Sequence, residues 1–496
     1  MHSIRLLLLV AGFFIATTVA SSANVYTADP PINVSIPSPF AGCTVGGPGT
    51  VFVNSEVEPF VDVNPTNPDN IIGVYQQDRW SNGGAHGLVA AVSHDGGQTW
   101  AHSFAHFSTC SGGTPANGGD LDRASDPWVT FSPNGHAYFM SLSANADLRT
   151  SAMLVAKSTD GGDTWSEPTT LIRETSDFHF NDKNSITADP TDSRFVYAVW
   201  DRSRFPSENA DFNALHSFAF RGDIYLARTT NGGQSWEPAH AVFAPKSNLF
   251  TIGNQIAVQP NGTLVDIFAL SKGSGNQPSP NQFTEAVIRS TDKGVTWSQP
   301  IIISTDQSVD VRDPDTGQNV RAGEGLPDIA VDRASGALYA VWDDGRFNGR
   351  VYDEIVFSQS TNGGRSWSAP IKVNKTPTNI AVGNRQAFTP AVHVADDGTV
   401  AVTYYDFRNN DTAVPGLPTD YWLVHCRASC TNAANWSETH GAGPFNMELA
   451  PVARGFFVGD YEGLASIGND FLPFFVQAGP VTGESDAFAA RVRPTP

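Results

Sequence analysis

At the ends of four predicted second strands an aspartate stands close to an arginine. They read Asp78-Arg79-Trp80, Asp201-Arg202-Ser203-Arg204, Asp343-Asp344-Gly345-Arg346 and Asp406-Phe407-Arg408. A guanidinium fork binds a carboxylate through two parallel hydrogen bonds. Arg79, Arg202, Arg346 and Arg408 are therefore candidates to hold an acidic sugar such as a sialic or uronic acid. The alternative for each is a salt bridge to its own aspartate. A second group comprises Glu56, Glu58, Arg123, Asp126, Asp182, Lys183, Glu324, Arg385 and the string Asp460-Tyr461-Glu462. Carboxyl groups facing each other across a pocket suit glycoside hydrolysis, one as acid and the other as base or nucleophile. Their alternative is a solvated rim of charges. Neighbours on a strand point to opposite faces, so Tyr461 and Glu462 do not share one opening. His86, His106, His179 and His216 offer another chemistry, proton abstraction from a uronic acid, which is the start of β-elimination.

These residues are far apart in the chain, and a repeat is what could gather them. The pattern reads SHDGGQTW at Ser93–Trp100, STDGGDTW at Ser158–Trp165, TTNGGQSW at Thr229–Trp236, STDKGVTW at Ser290–Trp297 and STNGGRSW at Ser360–Trp367. A degenerate copy, TNAANW, ends at Trp436. A fixed period of this length is read before any local structure. The Asp or Asn can bond nearby backbone in an Asx-type turn. Gly97, Gly162, Gly233, Gly294 and Gly364 would take the positive φ that side chains resist. The Trp buries a large apolar face against the neighbouring strands. Between these turns run short β-branched and aromatic segments, such as Pro59–Val63, Ile71–Tyr75 and Leu88–Val92. The period and the runs predict an all-β fold: a seven-bladed β-propeller of four-stranded antiparallel blades. The segment from Asn24 to Val53 could supply a closing strand. The Asp–Arg segments fall at the ends of second strands, and the Glu58, Asp126 and Asp460 group at the entries to first strands. Both belong to the rim opposite the Trp turns.

Composition sets limits on function. The 496 residues carry 30 Lys and Arg against 50 Asp and Glu, a formal net charge of −20. Nucleic acid is disfavoured as a partner, because phosphate contacts need a basic surface. An acidic ligand must be held by a local arginine cluster. Glycine (45) and proline (33) are abundant and aromatics reach 11%, which suits a turn-rich β protein rather than a helical or disordered one. Arg5, the apolar run Leu6–Val19 and the small residues Ala20–Ala23 read as a secretory signal over residues 1–23. Residues 24–496 then form one domain, exported and without stable membrane insertion. Cys43, Cys110, Cys426 and Cys430 allow three pairings, of which Cys43 with Cys110 and Cys426 with Cys430 are favoured. No pattern demands a cofactor, although loop carboxylates could hold a calcium ion.

The Ser-x-Asp-x-Gly-x-Thr-Trp turn is the Asp box, and the chain resembles the sialidase (neuraminidase) superfamily of Asp-box, or BNR-repeat, β-propellers over nearly its whole mature length. Sialidase domains of that family have six blades, which is the alternative count here. The resemblance implies a secreted carbohydrate-active enzyme, a glycoside hydrolase of the exo-sialidase kind acting on a carboxylated glycan or glycoconjugate. It also implies a Tyr nucleophile, an acid and arginines on the substrate carboxylate. On this chain those roles fall to Tyr461 as nucleophile, Asp126 as acid, Glu58 as assisting base, and Arg79, Arg202, Arg346 and Arg408 as carboxylate ligands. A polysaccharide lyase acting on uronic-acid glycans and a non-catalytic propeller that binds glycans or proteins are the alternatives.

Overall fold

Runs of Val, Ile, Tyr, Phe and Ala between Gly, Pro, Asp and Asn turns form the strands of the protein, as their pleated, half-buried packing favours. The computed structural model describes residues 25–206, 220–246, 248–272, 283–323 and 325–495. The segment 1–23 read above as a signal, His216 and Glu324 lie outside them. Among the described residues no helix is long and apolar enough to cross a membrane.

The chain is all-β and builds multiple four-stranded antiparallel sheets. One runs Val51–Val63, Ile71–Trp80, Ala85–Ser93 and Ala101–Ser103. The pattern repeats from Arg123–Phe131, His179–Ala188, Leu249–Val258, Asp328–Val331 and Ala387–Val394 as first strands. A further sheet starts at Gly463–Ile467 and takes its outer strand from the N-terminus, where Ile32 pairs with Ala489. Each first strand touches the first strand of the next sheet, and Gly463–Ile467 returns to Val51–Val63. The arrangement is consistent with a β-propeller. Side chains between adjacent sheets form the core. Trp200 packs with Met140 and Met153 on one side of its strand, and Tyr197 with Ile256 and Phe268 on the other.

The repeated turns have the expected chemistry. Asp95 Oδ1 accepts the Gln98 and Thr99 amides, both at 2.9 Å, and its Oδ2 accepts the Thr99 hydroxyl at 2.6 Å. Asp292 does the same with Thr296. Where Asn replaces Asp, Ser replaces Thr, and the amide donates instead: Asn231 to Ser235 at 2.8 Å and Asn362 to Ser366 at 2.7 Å. Gly97 and Gly162 have φ of 89° and 103°, a region closed to most side chains. Cys43–Cys110 and Cys426–Cys430 are both bonded, consistent with an extracellular protein.

Candidate functional site

Several first strands break at the same point. The register slips between Val57 and Phe60, Ser125 and Trp128, Asp182 and Ser185, Ile252 and Gln255, and Phe388 and Ala391. Each slip holds a residue of positive φ: Glu58 (53°), Asp126 (51°), Lys183 (43°), Gly253 (77°) and Thr389 (53°). A bulge re-aims a side chain, and a non-glycine residue in this region costs about 1–3 kcal/mol. Three consecutive first strands use the device to place two carboxyls and an ammonium on one open cleft. Its walls include Glu58, Arg79, Arg123, Asp126, Lys183, Arg321 and Arg454, with Leu148 and Phe180 as apolar neighbours.

The charges form a network. Lys183 Nζ lies 3.0 Å from Glu58 Oε1 and 2.7 Å from Asp460 Oδ2. Asp460 also accepts both Nε (2.8 Å) and a terminal nitrogen of Arg321. Arg79 donates to Gln76 Oε1 at 2.7 Å, stands 4.0 Å from Glu58 Oε2, and Gln76 in turn donates to Glu58. Arg123 differs from the others. Its guanidinium donates to the Gly46, Pro48 and Gly83 carbonyls and to Asn82 Oδ1, at 2.6–2.9 Å, all neutral acceptors. Its guanidinium lies 4.5 Å from the Trp80 ring centroid. Asp126 accepts the Ser125 hydroxyl at 3.0 Å with Oδ1, while its buried Oδ2 has no hydrogen-bond partner.

Burial sets the proton affinities and the charges adjust them. Burial pushes Glu58 up, Lys183 pulls it back, Asp126 and Asp460 push again, and the carboxyl settles at about 7. Burial would also raise Asp460, but Arg321 and Lys183 outweigh it and hold that carboxyl well below its ordinary range. Lys183 is desolvated, yet Asp126, Asp460 and Glu58 together raise it. Burial lowers Arg123 to about 10, with the Arg79 charge adding to the effect. A carboxyl near 7 can give or take a proton at neutral pH, as an acid–base group must.

The sequence-predicted residues divide. Glu58, Asp126 and Arg79 meet at the cleft. Tyr461 adjoins them, but its side chain faces a neighbouring channel lined by Trp128, Asn184 and Asp328. Its hydroxyl donates to the Pro127 carbonyl at 3.4 Å, its ring lies 5.3 Å from that of Trp128, and Lys183 Nζ sits 5.3 Å from its centroid. Burial first, then the charges of Glu58, Asp126 and Asp460, push this phenol well above its ordinary range. Glu462 faces Tyr405 and Tyr421.

Arg202, Arg346 and Arg408 are not brought to the cleft. Arg202 bonds Glu174 at 2.6 Å, and Arg346 grips Asp344 at 2.9 and 2.6 Å. Arg408 bonds Asp406 at 2.6 Å and Glu438 at 2.7 and 2.9 Å, and lies 3.6 Å over the Trp422 ring. In the last two, a spacing of two residues lets the guanidinium fold back on its own aspartate. Asp78 and Arg79 are adjacent and so diverge: Asp78 meets Ser38 and His86, and Arg79 enters the cleft. Buried His86 is thereby tied to Asp78, and His106 to Glu167, so neither lines the cleft. Arg321 and Arg454 had no sequence signal. They come from insertions outside the repeat, whose short strands Asn319–Arg321 and Phe456–Phe457 pair in parallel. Among the described residues no group of three or more His, Cys, Asp or Glu is placed to hold a metal ion.

No family model and no curated relative matches the chain. Solved structures do. A protein of unknown function from Dyadobacter fermentans is 16% identical, with 75% of this chain and 95% of that one covered and a TM-score of 0.47. The α-L-arabinanase of Penicillium chrysogenum is 13% identical over 94% and 98%, also at 0.47. The Hadza microbial sialidase Hz136 is 13% identical over 85% and 73%, again at 0.47. Likenesses at this level say nothing of substrate.

Proposed function

We propose that the chain is a secreted, sialidase-like glycoside hydrolase that acts on an acidic glycan, and that its active site is the cleft of Glu58, Asp126 and Arg79. The observation that carries this is the gathering of carboxyl and guanidinium groups in one cleft of a chain whose net charge is −20. Arg321 and Lys183 are matched by Asp460 and Glu58, whereas Arg123 meets only neutral acceptors and Arg79 stands 4.0 Å from a carboxyl of pKa about 7. An incoming carboxylate is drawn to Arg79 and Arg123. Asp126, with an unpartnered oxygen, gives the leaving group its proton, and Glu58 serves as the assisting base. Tyr461 is the nucleophile in this scheme and has to turn its hydroxyl from the Pro127 carbonyl to reach the sugar. The same reading takes residues 1–23 as the signal, 24–496 as one domain, and its sheets as seven blades around one axis.

The test is turnover by the full mature chain. A fluorogenic sialoside should release fluorophore, and Asp126→Asn should lower kcat by at least about a hundredfold without loss of fold. A rise in ultraviolet absorbance on a uronate polymer, with no hydrolysis, would instead make the protein a lyase. Binding across a glycan array without any turnover would make it a binding module.

A further inference from the structure

Arg79 presents a physical difficulty. Its guanidinium is desolvated and donates to Gln76, and its Nε is buried without a hydrogen-bond partner. It also shares the cleft with the like-charged Arg123 and Arg321, and the Arg321 charge acts directly against it. The Glu58 carboxyl 4.0 Å away, with Asp460 and Asp126 beyond it, draws the charge from one side. Phe457 is a further group in contact. It is fully buried and packs with Val57 and Ala453. The Arg79 guanidinium carbon lies 4.8 Å from its ring centroid, and that of Arg321 lies 4.3 Å from the same centroid. Phe457 is in register with Arg321 across the parallel pair of the two insertions, so backbone hydrogen bonding fixes the ring relative to Arg321. Arg79 comes from a different sheet, at the end of Ile71–Trp80. The negative face of a ring attracts a cation, most strongly where water is excluded.

We infer that Phe457 is a positioning residue: its ring gathers the Arg79 and Arg321 guanidinium groups from separate sheets into one clamp, in which Arg321 stays matched by Asp460 and Arg79 is held where the carboxylate of an acidic sugar meets it. The clamp's ligand rests on the function proposed above, while its geometry does not. A leucine or methionine at 457 fills similar space without the quadrupole, and a tyrosine keeps it.

The experiment compares wild type with Phe457→Leu, Phe457→Met and Phe457→Tyr. Affinity for free N-acetylneuraminate and glucuronate is measured by calorimetry, and crystal structures of wild type and the Leu variant are solved. Leu and Met should weaken binding about tenfold, the scale of one desolvated cation–ring contact, and Tyr should restore it. In the Leu crystals the Arg79 guanidinium should have left its wild-type position. Equal affinity in the Leu and Tyr variants, or unmoved arginines in the Leu crystals, overturns the inference. So does failure of both apolar variants to fold while Tyr folds, because the ring would then be a packing residue. If wild type binds neither acid, the acidic-glycan reading fails alone, and the position of Arg79 in the Leu crystals still decides the clamp.

Discussion

Replacing Lys183 by methionine removes an ammonium that faces both Glu58 and Asp460. Attraction across the 3.0 Å contact to Glu58 is about 5 kcal/mol at an effective dielectric near 20. Without it, burial and the neighbouring carboxyls push the Glu58 carboxyl well above 7. In wild type the folded carboxyl titrates at about 7, above the unfolded value, so its contribution weakens stability as pH rises towards 7 and then levels off. In Lys183→Met the folded chain keeps its proton while the unfolded chain loses it, so the fall continues. The stability gap between the two proteins should therefore widen by about 1.4 kcal/mol for each pH unit above 7. At pH 6 Glu58 is largely protonated in both proteins, and the residual gap reports the loss of Lys183 from Asp126 and from Asp460, which Arg321 still holds. Urea unfolding of both proteins at pH 6, 7, 8 and 9 measures the gap. A gap that does not change with pH would refute this reading of the Lys183–Glu58 pair.

Arg408→Met should destabilise the chain by about 3–5 kcal/mol in urea unfolding, because it leaves the buried Asp406 without its cation. Reduction of Cys43–Cys110, which closes a separation of 67 residues, should cost about 4 kcal/mol by chain entropy. It should also weaken acidic-sugar binding in calorimetry, since the stapled arm supplies the Gly46 and Pro48 carbonyls that hold Arg123. Glu58→Gln should remove the ionisation near pH 7 from the pH–rate profile of hydrolysis while leaving the fold intact.

The repeat made the architecture legible, because each Asp or Asn turn carries its own hydrogen-bond chemistry and each first strand follows at a similar interval. The entries to those strands were legible too: Glu58, Asp126 and Lys183 stand at equivalent places, and the structure shows why, in the shared bulge with positive φ. The partners of the arginines were harder to read. Asp344-x-Arg346 and Asp406-x-Arg408 resemble Asp78-Arg79 as strings, but one extra residue turns the guanidinium back on its own aspartate. Arg321 and Phe457 gave no signal, because they lie on insertions that meet only through a parallel pairing distant in sequence. Tyr461 stood in the right stretch, yet its rotamer, fixed by Trp128 and the Pro127 carbonyl, is a property of packing.

The most direct measurement is calorimetric titration of the mature chain with an acidic sugar and with its neutral methyl ester. A cleft that clamps a carboxylate between guanidinium groups binds the acid and loses tenfold or more on esterification, about the worth of one charge-assisted hydrogen bond. Equal affinity for acid and ester would contradict a carboxylate clamp at Arg79 and its neighbours.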